Sequence, residues 1–314
     1  MDHAAIEKFA VWAHAELVTQ LTEQVQKMSR TETHLAVAGQ TKEIDALVEE
    51  AASEWFCRVI ALRFMEINGF LPGIDRLFAD DSGRFQPAML KTVVDIDLPE
   101  LERQQAERLK ENSPTHSLYL DLFLVYCRSL RQKLPCLFGN VSFYLEKLLP
   151  QNLFQWDGVV HRLVRDIPDS CWRGKPEIIG WLYQYFIAQK RDEIININKG
   201  VIKKEDISIA TQVFTTEWVV RYMVDNSLGR YWLEHQQDSR LEEQLKFYVP
   251  PIITADHNNS EEKNTEGLRP QTLTFLDPCV GCGHILVYAF KVYMAIYREQ
   301  GYSEAAAAAE IIKH

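Results

Sequence analysis

The stretch Phe275-Leu276-Asp277-Pro278-Cys279-Val280-Gly281-Cys282-Gly283-His284 constrains this chain more than any other. It begins inside Leu273 to Leu276, which reads as a short buried strand. It then enters Ile285 to Ile296, an apolar run broken only by Lys291, which reads as a helix. Strand, glycine turn and helix make half of a nucleotide-binding unit. Glycine lets the backbone approach a ligand where a Cβ would clash, and the helix N-terminus beyond Gly283 offers N–H groups to an anionic or polar ligand.

Three other readings of the turn fail on spacing. Cys279 and Cys282 form a Cys-x-x-Cys pair, but no second pair or His-x-x-x-His completes four tetrahedral ligands, so no metal is expected. A thioredoxin-like redox motif has no need of Gly281 and Gly283. A dinucleotide fingerprint would put its third glycine at position 286, where Leu286 stands. Cys57, Cys127, Cys136 and Cys171 are scattered, which points to reduced thiols.

A chain of 314 residues has room for about two domains. Its net charge of -10 argues against binding nucleic acid through the overall field, though a local basic groove stays open. Apolar stretches such as Leu118 to Cys127 are cut by Asp121 and fall short of the roughly 18 residues of a membrane helix. Asp2, His3, Glu7 and Lys8 break any signal pattern, so a cytoplasmic protein without membrane contact is expected.

The N-terminal 69 residues read as helical. Ile6, Phe9, Ala10, Ala13, Leu17, Leu21 and Val25 form one stripe; Ile44, Leu47, Val48, Ala51, Trp55, Val59, Leu62 and Met65 form another, closed by Asn68-Gly69. Ser29 to Gln40 reads as a polar connection between them. Residues 70 to 116 are irregular apart from a short charged helix over Pro99 to Lys110. Apolar residues then crowd from Ser117 to Leu149. Residues 150 to 175 read as a loop-rich join, and Pro176 to Arg191 as a helix with Ile178, Ile179, Leu182, Tyr185 and Phe186 on one face. These assignments predict a mainly α domain over 1–195, followed by a second domain over 196–314.

In the second part, Gln212 to Val224 reads as a helix start, with Thr215 or Thr216 as N-cap and Glu217 complementing the positive helix end. Tyr231 or Trp232 is expected to cover that helix's apolar face. Asp256 to Arg269 has too few apolar residues to pack and reads as a surface loop.

Asp277-Pro278-Cys279-Val280-Gly281-Cys282-Gly283 resembles motif I of the N6-adenine DNA methyltransferases, Asp-Pro-x-x-Gly-x-Gly ahead of a helix. Phe214-Thr215-Thr216-Glu217-Trp218 resembles their motif X, with Thr216 in place of the usual proline. Cys282 stands where that family often has serine. Over more of the chain, four further segments are together similar to the PglX-like methyltransferases of BREX phage-defence systems: Glu54-Trp55-Phe56, Arg63 to Gly69, Gly180 to Phe186 and Tyr222 to Arg230.

The resemblance implies that residues 196–314 begin an α/β, Rossmann-like, S-adenosylmethionine-dependent methyltransferase domain. It implies cofactor contacts from Phe214, Thr215, Thr216, Asp277, Pro278, Cys279, Gly281 and Gly283, with Asp277 orienting the amino-acid part. DNA is the implied substrate of the parent protein, with adenine flipped from the duplex. Other BREX proteins and phage DNA-mimic proteins are the implied further partners.

The family's Asn/Asp-Pro-Pro-Tyr/Phe motif is missing. Pro250-Pro251 lies in Val249-Pro250-Pro251-Ile252, without the polar acceptor or the aromatic, and precedes motif I when it should follow. The chain is therefore expected to be an N-terminal portion that holds no catalytic residue and does not methylate DNA by itself. The alternative is a non-catalytic helical module that docks defence proteins, DNA or a DNA mimic.

Overall fold

The first apolar stripe becomes the buried face of α1 (His3–Thr31), with Ile6, Ala10, Ala13, Leu17 and Leu21 wholly inaccessible. α2 (Thr41–Asn68) packs against it, burying Val48, Ala51, Trp55, Val59 and Leu62. Each such side chain is worth about 1.5–3 kcal/mol relative to exposure if it is of valine or leucine size or larger. α2 ends as Asn68-Gly69 predicts: Gly69 takes φ 71°, and the Phe70 N–H donates to Met65 O at 2.8 Å.

The computed structural model describes residues 2–31, 41–80, 85, 104, 115–139, 143–197, 202–204, 207–211, 213–236, 238–251 and 268–313. They fall into two units, Met1–Thr211 and Gln212–His314. α1 runs through Ser29 to Thr31, into the expected connection, most of which lies outside the described residues. So do the loop expected over Asp256 to Arg269, save its last two residues, and the charged helix over Pro99 to Lys110, save Gln104.

The first unit continues with α3 (Thr115–Ser129), α4 (Val159–Asp166), α5 (Glu177–Phe186) and α6 (Ala188–Ile197), with shorter helical turns between them. α4 is a helix within the join over 150–175 expected to be loop-rich. Turn residues crowd around it, but Val159, Val160, Leu163 and Val164 recur at helical spacing and are buried. The helix expected over Pro176 to Arg191 is interrupted at Ile187, where α5 ends and α6 begins.

A buried ionic knot ties this unit together. Arg63 is fully buried, and its guanidinium bonds Glu66 and, at 2.8 Å, Asp169 Oδ1. Glu66 Oε1 accepts the N–H groups of Leu77, Phe78 and Ala79 at 2.7, 2.7 and 3.1 Å. The segment after α2 is thus pinned by a carboxylate whose charge is matched on both sides. Trp55 donates to Leu145 O at 3.2 Å, and Phe56 stacks on Phe186 with ring centroids 4.0 Å apart. The early segments that carried the family resemblance include these core and packing residues.

In the second unit α7 (Glu217–Val224) passes through one π-helical turn, Asp225–Gly229, into α8 (Arg230–His235). α9 (His284–Glu299) packs on α7 and that turn, and α10 (Glu304–Lys313) folds back on α9. The core gathers Val224, Leu228, Trp232, Leu241, Val292 and Ile296. Trp232 is buried in it, whereas Tyr231 lies exposed beside His235.

Among the described residues no β-strand forms; one isolated bridge joins Ala79 and Phe85. Leu273 to Leu276, expected as a buried strand, starts extended at Leu273 (φ −81°, ψ 127°), but no ladder partner is described and Leu276 is 84% exposed. A strand is defined by the neighbour that takes its N–H and C=O groups, and that neighbour is not among the described residues.

Candidate functional site

The motif I turn closes on itself through short-range bonds. The Cys279 N–H donates to Asp277 Oδ1 at 3.0 Å, and the Gly283 N–H to Val280 O at 2.7 Å. Gly281 (φ 51°) and Gly283 (φ 79°) are both left-handed, a conformation that costs a residue with a Cβ about 1–2 kcal/mol. A Cβ on Gly283 would meet nothing within 4 Å, and one on Gly281 only Cys279 O at 3.9 Å. Within the chain, backbone conformation selects glycine here; crowding does not.

Gly283 is the N-cap of α9, and the Val287 N–H bonds its carbonyl at 2.9 Å to start the helical ladder. The N–H groups of the first turn precede that bond, as at any helix start. Asp277 Oδ2 is buried and has no hydrogen-bond partner among the described residues. A buried carboxylate oxygen without a donor costs about 1–3 kcal/mol or more. The arrangement suits a ligand that brings a donor or a positive charge. Pro278, Cys279 and Cys282 are exposed at the surface of the turn.

The motif X segment meets this turn. Phe214 and His284 lie with ring centroids 5.0 Å apart and planes at 44°. Thr215 and Thr216 are half-buried. Thr216 is the N-cap of α7 by its backbone (φ −65°, ψ 151°), with its carbonyl accepting from Val219 and Val220 at 3.1 Å. Thr216 is thus the N-cap as expected, and it caps through its backbone, since its hydroxyl makes no capping bond. Glu217 sits in the first turn and pairs with Arg221 one turn on.

Sequence reasoning gave no role to Asp225, Asn226, His284 or Tyr288. Asp225 is fully buried, accepting the Tyr288 hydroxyl and the Phe247 N–H, both at 2.9 Å. Asn226 donates to Phe247 O and accepts from the Val249 N–H, both at 2.8 Å. Arg221 lies over the Tyr288 ring, 5.4 Å from its centroid. The available signal was Asp225-Asn226 interrupting an apolar helical run.

The opposite side of α9 lines an apolar pocket of about 230 Å³ with Leu273 and Phe275, contributing Leu286, Ala289, Phe290 and Tyr293. The buried Tyr293 hydroxyl has no hydrogen-bond partner among the described residues. Among those residues no group of three or more His, Cys, Asp or Glu can hold a metal ion, and no helix is long and apolar enough to cross a membrane.

No family model matches the chain. It is 37% identical over 263 residues to the adenine-specific methyltransferase BrxX of Escherichia coli O9:H4 (strain HS), a match covering 82% of this chain and 22% of that protein. It is 33% identical over 287 residues to the adenine-specific methyltransferase PglX of Lacticaseibacillus casei (strain Zhang), covering 85% of this chain and 24% of that protein. The chain therefore spans about a quarter of the length of the curated relatives it matches. Over more than four fifths of its own length, it is a homologue of one part of the PglX-like adenine-specific methyltransferases of BREX systems.

Proposed function

We propose that this chain is the S-adenosylmethionine-binding N-terminal part of a BREX-type N6-adenine DNA methyltransferase. The observation that carries the reading is the meeting of Phe214 with His284 at the start of α9, beside a glycine turn whose Asp277 keeps one buried oxygen without a donor. When bound, the cofactor supplies a sulfonium methyl group for the exocyclic amine of a flipped adenine. Asp277 Oδ2 would accept from the ammonium of its amino-acid part. Gly281 and Gly283 would give the backbone its approach, with Pro278 and Cys279 along the turn and Phe214, Thr215 and Thr216 closing the other side.

The same reading makes Leu273 to Leu276 a strand of an α/β sheet whose other strands lie elsewhere in the parent protein. Its support is the extended backbone at Leu273, the exposure of Leu276 and the apolar pocket between this segment and α9. The methyl-transfer step needs an Asn/Asp-Pro-Pro-Tyr/Phe motif from that remainder, so the 314-residue chain leaves DNA unmethylated.

Calorimetry of the purified chain tests the binding half of this proposal: S-adenosylmethionine should release heat and NAD should not. No heat at millimolar cofactor would remove it. Adenine methylation by this chain alone would remove the second half.

A second reading, a protein-docking module, draws on Trp156. It is 82% exposed and mounted beside Asp157, whose φ of 64° is rare outside glycine. Tryptophan dominates interface energetics when a partner covers it. Partners captured by wild type and lost on Trp156→Ala, with cofactor binding unchanged, would favour that role for the first unit.

A further inference from the structure

We infer that Asp225 is a positioning residue: through Tyr288 it holds the Phe214–Thr216 corner in register with the Gly281–Gly283 turn. The inference rests on the cofactor reading above.

The geometry is that of a lever. Phe214 stands three residues before Glu217, the first residue of α7, and Asp225 immediately follows the helix, so Thr215, Thr216 and one short helix join them. His284 and Tyr288 are four residues apart on α9, on the same face. At one end of this helix pair Phe214 meets His284; at the other the Tyr288 hydroxyl donates to Asp225 Oδ1. A bond to a buried carboxylate is short-ranged and directional, so it fixes how far α9 can slide or turn along α7. Apolar packing alone tolerates such shifts more readily.

The lever is also braced. The second Asp225 oxygen takes the Phe247 N–H, and Asn226 holds Val249, so the π turn cannot rotate without breaking several bonds. π turns inside helices are found frequently at functional sites. Burial, and next the hydrogen bond to Asp225, push the Tyr288 phenol up to about 12, which keeps it a donor throughout the neutral range.

The test compares Tyr288→Phe, which deletes one hydroxyl, with Ile296→Val, which trims a buried methyl lower on the same helix. Both should lower the melting temperature modestly. Tyr288→Phe should also weaken S-adenosylmethionine binding about tenfold and speed amide exchange at 213–217 and 284–287 by a similar factor. Ile296→Val should leave both within about twofold of wild type. If Tyr288→Phe follows Ile296→Val in affinity and in exchange, Asp225 is merely structural and the inference is overturned. If wild type takes up no cofactor, the cofactor reading fails by itself. Exchange then decides alone: acceleration confined to Tyr288→Phe upholds the lever, and equal exchange in both variants removes it.

Discussion

The two units differ in how much apolar surface they leave uncovered. In Met1–Thr211 the apolar stripes of α1 and α2 end inside the core, and the buried charges of Arg63 and Glu66 find partners in each other, in Asp169 and in three backbone N–H groups. Gln212–His314 is a smaller unit that nevertheless shows most of the exposed large apolar side chains among the described residues, including Val213, Trp218, Tyr222, Met223 and Leu276. Both units hold buried polar atoms without a hydrogen-bond partner among the described residues; in the first most are nitrogens of guanidinium groups paired through another nitrogen, and in the second they include the oxygens of Asp277 and Tyr293. The first unit has the chemistry of a finished core. The second has that of a surface arranged to receive a ligand and further chain.

The contrast can be broken most severely at Glu66. Glu66→Ala would leave the Arg63 guanidinium buried and strip the acceptor from Leu77, Phe78 and Ala79, which should cost about 3–5 kcal/mol. Urea denaturation should show that loss in the transition of the first unit. Unchanged stability would mean that the knot is not what closes this unit.

Asp277→Ala should act in the opposite way. It removes a buried oxygen that no described residue satisfies, but also the Oδ1 acceptor of the Cys279 N–H, so the two effects offset and stability should change by less than about 1 kcal/mol. Affinity for S-adenosylmethionine should fall by about 1.5–3 kcal/mol, the value of a hydrogen bond to a charged group. Calorimetry and thermal melting on the same sample separate the two effects. A variant that melts early and still binds normally would make Asp277 a structural residue.

What the sequence disclosed follows the same division. Period alone identified the buried faces of α1, α2 and α5, because apolar spacing is a local property that burial reads directly. Phe214 and the glycine turn were singled out separately, and folding brings them together. α4 was missed because Trp156-Asp157-Gly158 and Ile167-Pro168-Asp169 on either side of it spell turns. Leu273 to Leu276 has the composition of a buried strand, yet burial and pairing depend on a neighbour that local sequence does not contain. The bonds of Asp225 were illegible for a related reason: they join residues 22 and 63 positions apart, and only the return of the Phe247 segment to the π turn and the packing of α9 on α7 create them.

Gly283→Ala sharpens the comparison at smaller amplitude. With open space around the missing Cβ, the substitution should cost only the left-handed backbone, about 1–2 kcal/mol, and should lower the melting of the second unit alone. A loss of cofactor affinity beyond that strain would show the ligand approaching where the Cβ would stand. An equal loss in both units would mean that they do not unfold separately.

The smallest effect lies in the first unit and depends on pH. Glu146 receives Arg128 through two hydrogen bonds, at 2.6 and 3.1 Å, and also pairs with Arg131. The Arg128 hydrogen bond leads in holding its carboxyl below the ordinary value of 4.5; partial burial opposes it, and the charges of both arginines assist. A carboxyl depressed in the folded state contributes stability above its unfolded pKa and loses it as pH falls through the folded one. All three side chains reach solvent, so the contribution should stay below about 1 kcal/mol. Glu146→Gln should therefore unfold at lower urea than wild type at pH 7, and the gap should narrow as pH falls below 4.5 and close once the folded wild-type carboxyl takes up its proton. A gap that does not narrow at all as pH falls below 4.5 would assign the difference to packing, and with it remove one of the charge pairs that knit the first unit together.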